Sequence, residues 1–174
     1  MTTEEIRRIG FTEEDGRGLK FGIVSARANA DVVEPLVTGT KESLLAKGVA
    51  HQDLRCCTVQ RPFDLPYAAK AMMRSDDSLD GIICLGCIIR DENIGKFDYE
   101  SEAVARGIMK LNEGKVPVVY GVLTCLNEEQ ALTFIGKASE HDAVSVDHGP
   151  AYAQTLVELA RLSKRLDEDA EEQP

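Results

Sequence analysis

Apolar residues fall along this chain in two alternating rhythms, short unbroken runs and longer stretches repeating every three or four positions. Lys20 to Ser25 is a run of the first kind and predicts a strand. Asp31 then opens a helical stretch to about Lys47, with Val32, Leu36, Leu44 and Leu45 facing inward and Gly48 as the stop. Leu54 to Val59 predicts a second strand, and a turn carrying Pro62 and Pro66 leads into a helix over Tyr67 to Arg74. Asp80 to Ile89 is almost wholly apolar, the pattern of a strand covered on both faces.

Asp91 to Lys96 reads as a polar loop, and Phe97 to Asn112 regains helical spacing through Ala103, Val104, Gly107, Ile108 and Leu111. Val116 to Leu123 predicts the fourth strand. Glu128 to Ile135 starts a helix whose pattern fades over 137–149, and Ala151 to Leu166 predicts a long last helix with Leu156, Leu159, Ala160 and Leu162 on one side. Strands alternating with helices define a doubly wound three-layer α/β domain on a four-stranded parallel sheet, flavodoxin-like in its layering. Ligands of such sheets bind outside the carboxyl ends of the strands. Here those ends are Ser25 to Ala30, Gln60 to Asp64, Ile89 to Phe97 and Thr124 to Asn127.

A length of 174 residues suits one domain with its own core. The division expected is an N-terminal arm over 1–18, the α/β domain over 19–166 and an acidic C-terminal tail over 167–174. A net charge of -10 with no basic patch to offset it repels nucleic acid and anionic lipid. The first 18 residues are polar and no apolar run approaches the ~20 residues of a membrane span, so a soluble, cytoplasmic protein is expected.

Five cysteines, an odd number set mostly in apolar runs, predict reduced buried thiols and no disulfide framework. Cys84 and Cys87 have the spacing of a metal or redox pair. Three residues apart on one strand, however, they point to opposite faces, and no second pair completes a tetrahedral site. No metal is expected.

Five segments carry a family resemblance: Phe21-Gly-Ile-Val-Ser-Ala-Arg-Ala-Asn29, Val59-Gln-Arg-Pro-Phe-Asp-Leu-Pro66, Gly81-Ile-Ile-Cys-Leu-Gly86, Phe97-Asp-Tyr99 and Gly121-Val-Leu-Thr124. Together they resemble lumazine synthase, and the similarity runs from about Leu19 to Leu166. It implies a homopentamer or a larger hollow shell, with a small-molecule site between neighbouring subunits. It also implies the condensation of a ribitylamino-uracil diamine with a dihydroxybutanone phosphate, without metal or organic cofactor. That chemistry asks for an aromatic face, a donor set for phosphate and a group that moves protons near neutral pH.

The chain departs from the family at each of these requirements. Where the family has an aromatic residue before Asn, this chain has Ala28-Asn29. Where it reads Pro-Gly-Ala-Phe-Glu-Leu-Pro, Arg61 and Pro62 replace two small residues, while Phe63 and Leu65-Pro66 remain. The glycine-containing phosphate loop that ends in the family's histidine is here Arg90-Asp-Glu-Asn-Ile-Gly-Lys-Phe97, one residue longer, with Lys96 at the histidine position. Phe134 stands where the resemblance places a phosphate-binding arginine, and Asp147-His148-Gly149 replaces Asn-Lys-Gly.

The resemblance therefore points to Lys96 as the catalytic candidate, through a Schiff base or proton transfer. It points to Asn29, Arg61, Phe63, Asp64, Asn93 and Phe134 as the substrate-binding set. Arg61 is expected to pair with Asp64 or Asp91, and Lys137, His141 and His148 to lie on the surface, as loop residues do. Gly22, Gly86 and Gly121 are expected to serve close packing. Three functions follow: a diverged protein that binds or transforms a small planar or carbonyl-containing molecule, a lumazine synthase using substitute residues, or a non-catalytic oligomeric scaffold.

Overall fold

The computed structural model describes residues 15–91, 95–137 and 147–171. Four strands, β1 (Phe21–Ala26), β2 (Leu54–Val59), β3 (Gly81–Ile89) and β4 (Val118–Cys125), form one parallel sheet in the order β2-β1-β3-β4. Around it run α1 (Ala30–Ala46), α2 (Leu65–Ser75), α3 (Lys96–Leu111), α4 (Glu128–Thr133) and α5 (His148–Glu171). This is the doubly wound α/β arrangement that the alternation of patterns predicts.

Period-two alternation along each strand divides the core in two. From β3, Ile83, Leu85 and Cys87 join Val32, Leu36, Leu44, Leu156 and Val157 beneath α1 and α5. Ile82, Cys84 and Ile88 join Leu65, Ala69, Met72, Val104 and Ile108 beneath α2 and α3. Cys84 and Cys87 thus face opposite layers, as their spacing requires. Gly121 meets the expectation of close packing: a Cβ there would lie 2.6 Å from Leu85 Cδ2 and 3.0 Å from the Cys84 carbonyl oxygen.

Element ends move by a few residues. The helix α3 takes in Lys96, read from sequence as loop, because Gly95 at φ 93° turns the chain directly into it. The strand β4 runs two residues further than the pattern suggests, and α5 extends from His148 to Glu171, with residues 167–170 exposed. Residues 15–18 are tied to the domain. Arg161 donates to the carbonyl oxygens of Asp15 and Arg17 at 2.7 and 2.8 Å, and Gly16 N–H donates to Lys47 at 2.8 Å.

As the edge strand, β2 departs from the expectation of buried thiols: Cys56 is exposed and Cys57 half-buried, while Cys84, Cys87 and Cys125 are buried. All five are free. The uncovered face of β2 leaves a groove of about 450 Å³ against α1, floored by Ile23, Val33 and Val37 with Cys56 and Thr58 along its side. Among the described residues, no helix is long and apolar enough to cross a membrane.

Candidate functional site

At the carboxyl end of the sheet, β1 ends in Asn29, whose φ of 56° and ψ of 48° are left-handed. Asn tolerates this region better than most residues. The turn starts α1, since the Asn29 carbonyl oxygen accepts from Val32 and Val33 N–H, both at 3.0 Å. Its side-chain amide donates to the Cys87 carbonyl oxygen of β3 at 2.8 Å. Asn29 therefore clamps two strand ends while facing a cavity.

That cavity, about 200 Å³, is lined by Ala28, Asn29, Arg61 and Pro62, the Cys87 to Ile89 end of β3, and Lys96 and Glu100 of α3. It opens beside a larger one of about 570 Å³, lined by Arg61, Phe63, Lys96, Tyr99, Glu100 and Ala103. Arg61, Lys96 and Glu100 border both chambers. The first three of the four strand ends named from sequence build this cleft, and the end of β4 does not line it.

Two cations and one carboxylate stand at the boundary. Lys96 Nζ lies 3.8 Å from Asp91 Oδ2, with both side chains about half exposed, so the tether is loose and screened by water. The expected ion pair of Arg61 is absent among the described residues. Its backbone is engaged instead: the N–H donates to the Asp64 carboxylate at 3.2 Å and the carbonyl oxygen accepts from Asp64 N–H at 3.0 Å, closing the turn over Pro62–Asp64 that precedes α2. Asp64 is thus a turn-capping residue that borders neither chamber. Arg90, by contrast, is spent nearby, its guanidinium 5.8 Å from the centre of the Phe97 ring.

The inner chamber contains no aromatic ring among its described lining residues, and Ala28 leaves the place beside Asn29 open. Rings occur only in the outer chamber, where Phe63 and Tyr99 are 58% and 77% exposed. Cys87, in the inner wall, is no nucleophile. Its S–H donates to Cys125, and that hydrogen bond first and burial second push its pKa up, while Cys125 is lowered by accepting.

Phe134 lies elsewhere. It ends α4, half-buried, with its ring centroid 4.8 Å from that of His148 at an edge-to-face angle of 61°. It borders neither chamber of this chain. Asn93 and His141 lie outside the described residues.

The expectation of a surface His148 is overturned. Its side chain is fully buried at the start of α5, between Phe134 and Tyr152, and burial lowers its pKa to about 4. The reason is local: Asp147 Oδ1 accepts from Gly149 N–H at 2.9 Å and begins the helix, which turns the next side chain into the core. A neutral buried imidazole supplies no cation to a relocated anion site.

Tyr99, Glu100 and Ala103 are the lining residues that sequence reasoning missed. Their signal was available: with Lys96 they fall at i, i+3, i+4 and i+7, one face of a helix that begins at Lys96. Among the described residues, no cluster of three or more histidine, cysteine or acidic side chains has the arrangement of a metal site.

A parallel doubly wound sheet with a two-chambered cleft outside its strand ends, bordered by two cations and one carboxylate, places the chain among α/β proteins of the kind that offer a ligand site at that end of the sheet. The model of the 6,7-dimethyl-8-ribityllumazine synthase family matches residues 18–164, and the chain belongs to that family.

Proposed function

We propose that this family member has a diverged pocket, which binds or transforms a small planar or carbonyl-containing molecule where subunits of a homopentamer or larger shell meet, in the cytoplasm. The observation that carries the reading is the cleft itself: with Ala28 before Asn29, the inner chamber has no ring among its described lining residues, and Lys96 stands where the family has a histidine. Phe134, at the position of the family's arginine, is engaged with His148. One lost charge-assisted anion contact costs about 2 to 3 kcal/mol, and one lost general acid or base costs about a hundredfold or more in rate. Losing ring, histidine and arginine together is a severe handicap for the family's reaction.

Lys96 is the group best placed for new chemistry, because it borders both chambers and its only ion-pair partner among the described residues is the distant, exposed Asp91. An amine so placed can add to a carbonyl and lose water to form an imine. The test is reductive trapping: incubation with small aldehydes and ketones, reduction with borohydride and peptide mass spectrometry. Adducts concentrated on Lys96 over the other lysines support the reading, and adducts spread evenly among them contradict it.

One observation favours a second reading. Arg61 and Lys96 converge on a single boundary, so an anion site displaced within the cleft could serve a lumazine synthase with substitute residues. Turnover of the diamine and butanone phosphate pair separates the two.

A further inference from the structure

The helix α3 opens with an amine and a carboxylate on one face. Lys96 is its first residue and Glu100 follows one turn later, at i and i+4, and both border the inner and the outer chamber. Since the two share one helix, their juxtaposition is set by this chain alone. It does not depend on what a neighbouring subunit brings to the cleft.

Neither group is spent on the other. Lys followed by Glu is the weaker order for an ion pair along a helix, whereas the favourable order on the same helix, Glu102 to Arg106, does form its pair. Lys96 Nζ keeps only the 3.8 Å contact with Asp91, and Asp91 borders neither chamber. Glu100 is half-buried, and its carboxylate has no hydrogen bond or ion pair among the described residues. A nucleophilic amine and an uncommitted carboxylate at the same volume are the two parts that imine chemistry needs.

We propose that Glu100 is the proton carrier for imine formation between Lys96 and an aldehyde or ketone in the cleft. The proposal rests on the reading of Lys96 as the amine that adds to a carbonyl, and it adds the group that moves the protons. The Glu100 carboxylate takes one proton from the Lys96 ammonium. The freed lone pair forms the C–N bond while the carbonyl π pair moves to oxygen, and a proton passes from nitrogen to that oxygen to give the carbinolamine. Glu100 then returns its proton to the hydroxyl, the C–O bond breaks, and the nitrogen lone pair closes the C=N bond. Ammonium and carbonyl have become iminium and water, with Glu100 again a carboxylate.

The experiment follows the rate of adduct formation at Lys96 of the full chain with 4-nitrobenzaldehyde at pH 7, by borohydride quenching at timed intervals and peptide mass spectrometry. Glu100→Gln, which keeps shape and removes the proton carrier, is expected to slow the reaction at Lys96 about tenfold or more while the other lysines react as before. Glu100→Asp should recover part of the rate. Asp91→Asn supplies the contrast: a carboxylate that merely holds an ammonium retards attack, so its removal should leave the rate equal or faster. Circular dichroism of each variant is expected to match that of the unmodified protein. Adducts selective for Lys96 that form at an unchanged or faster rate in Glu100→Gln overturn the proposal and leave the imine reading standing. Adducts without selectivity for Lys96 in the unmodified protein overturn both.

Discussion

Asn29 and Cys87, 58 positions apart, are joined by an amide-to-carbonyl hydrogen bond of 2.8 Å that links the carboxyl ends of β1 and β3. Two demands meet at Asn29, this bond and a left-handed backbone. Asn29→Ala loses both, at about 1 kcal/mol for the bond and 1–2 kcal/mol for the backbone. Asn29→Gly keeps the backbone freedom. Urea denaturation is expected to rank the alanine variant below the glycine variant, with both below the unmodified protein; equal stability of all three would refute the clamp.

Acid should loosen the start of α5. The folded pKa of His148 is about 4, below its ordinary value of 6.5. Between those values the unfolded chain binds a proton that the folded chain refuses, so stability falls as pH drops from about 6.5 toward 4. Asp147 acts in the opposite sense: its pKa is raised, by burial first and with repulsion from Glu42 adding, so its penalty is relieved as pH falls toward 3.8. For the histidine the window runs from about 6.5 to about 4. At about 1.4 kcal/mol per unit, the loss from pH 7 to pH 4.5 is on the order of 2 kcal/mol, and His148→Leu should remove most of that dependence. A pH-independent stability of the unmodified protein over this range would contradict the burial of a neutral imidazole.

Gly121 leaves no room in β4. A Cβ at this position would stand 2.6 Å from Leu85 Cδ2 and 3.0 Å from the Cys84 carbonyl oxygen, so Gly121→Ala forces the β3–β4 pair apart or twists Leu85 from its rotamer. Overpacking of this kind costs about 1–3 kcal/mol. Thermal unfolding is expected to show a lower Tm, and an unchanged Tm would mean that the two strands give way freely.

Phe134 is held by its neighbour more than by any ligand cleft of its own chain. Phe134→Arg restores the residue type of the family but removes the edge-to-face contact with His148 and sets a guanidinium in a half-buried place. We expect a stability loss of about 1–3 kcal/mol and no gain in lumazine formation from this change alone. A gain would show that the arginine was the one missing part.

The fold was legible because the period-two and period-3.6 patterns are long and clean: the apolar run over 81–89 cannot be other than a doubly covered strand once helices flank it. The cleft was legible in part. Asn29, Arg61, Phe63 and Lys96 sit at strand ends, where a parallel sheet places its ligands. Tyr99 and Glu100 were hidden because Lys96 was read as the end of a loop, so the set at i, i+3 and i+4 that it begins on the helix was not traced. His148 escaped because burial here depends on a hydrogen bond two residues away, from Gly149 to Asp147, and no periodicity records it. Arg61 was expected in an ion pair because carboxylates are near in sequence, yet the Asp64 carboxylate is taken by the backbone N–H.

The central claim is that this chain retains the family's architecture around a cleft unsuited to the family's substrates. Its most direct test is the rate of lumazine formation from the ribitylamino-uracil diamine and dihydroxybutanone phosphate, followed by fluorescence with and without the protein. The account predicts a rate within a few-fold of the uncatalysed reaction. A saturable acceleration of about a hundredfold or more, abolished by Lys96→Ala or Arg61→Ala, would contradict it.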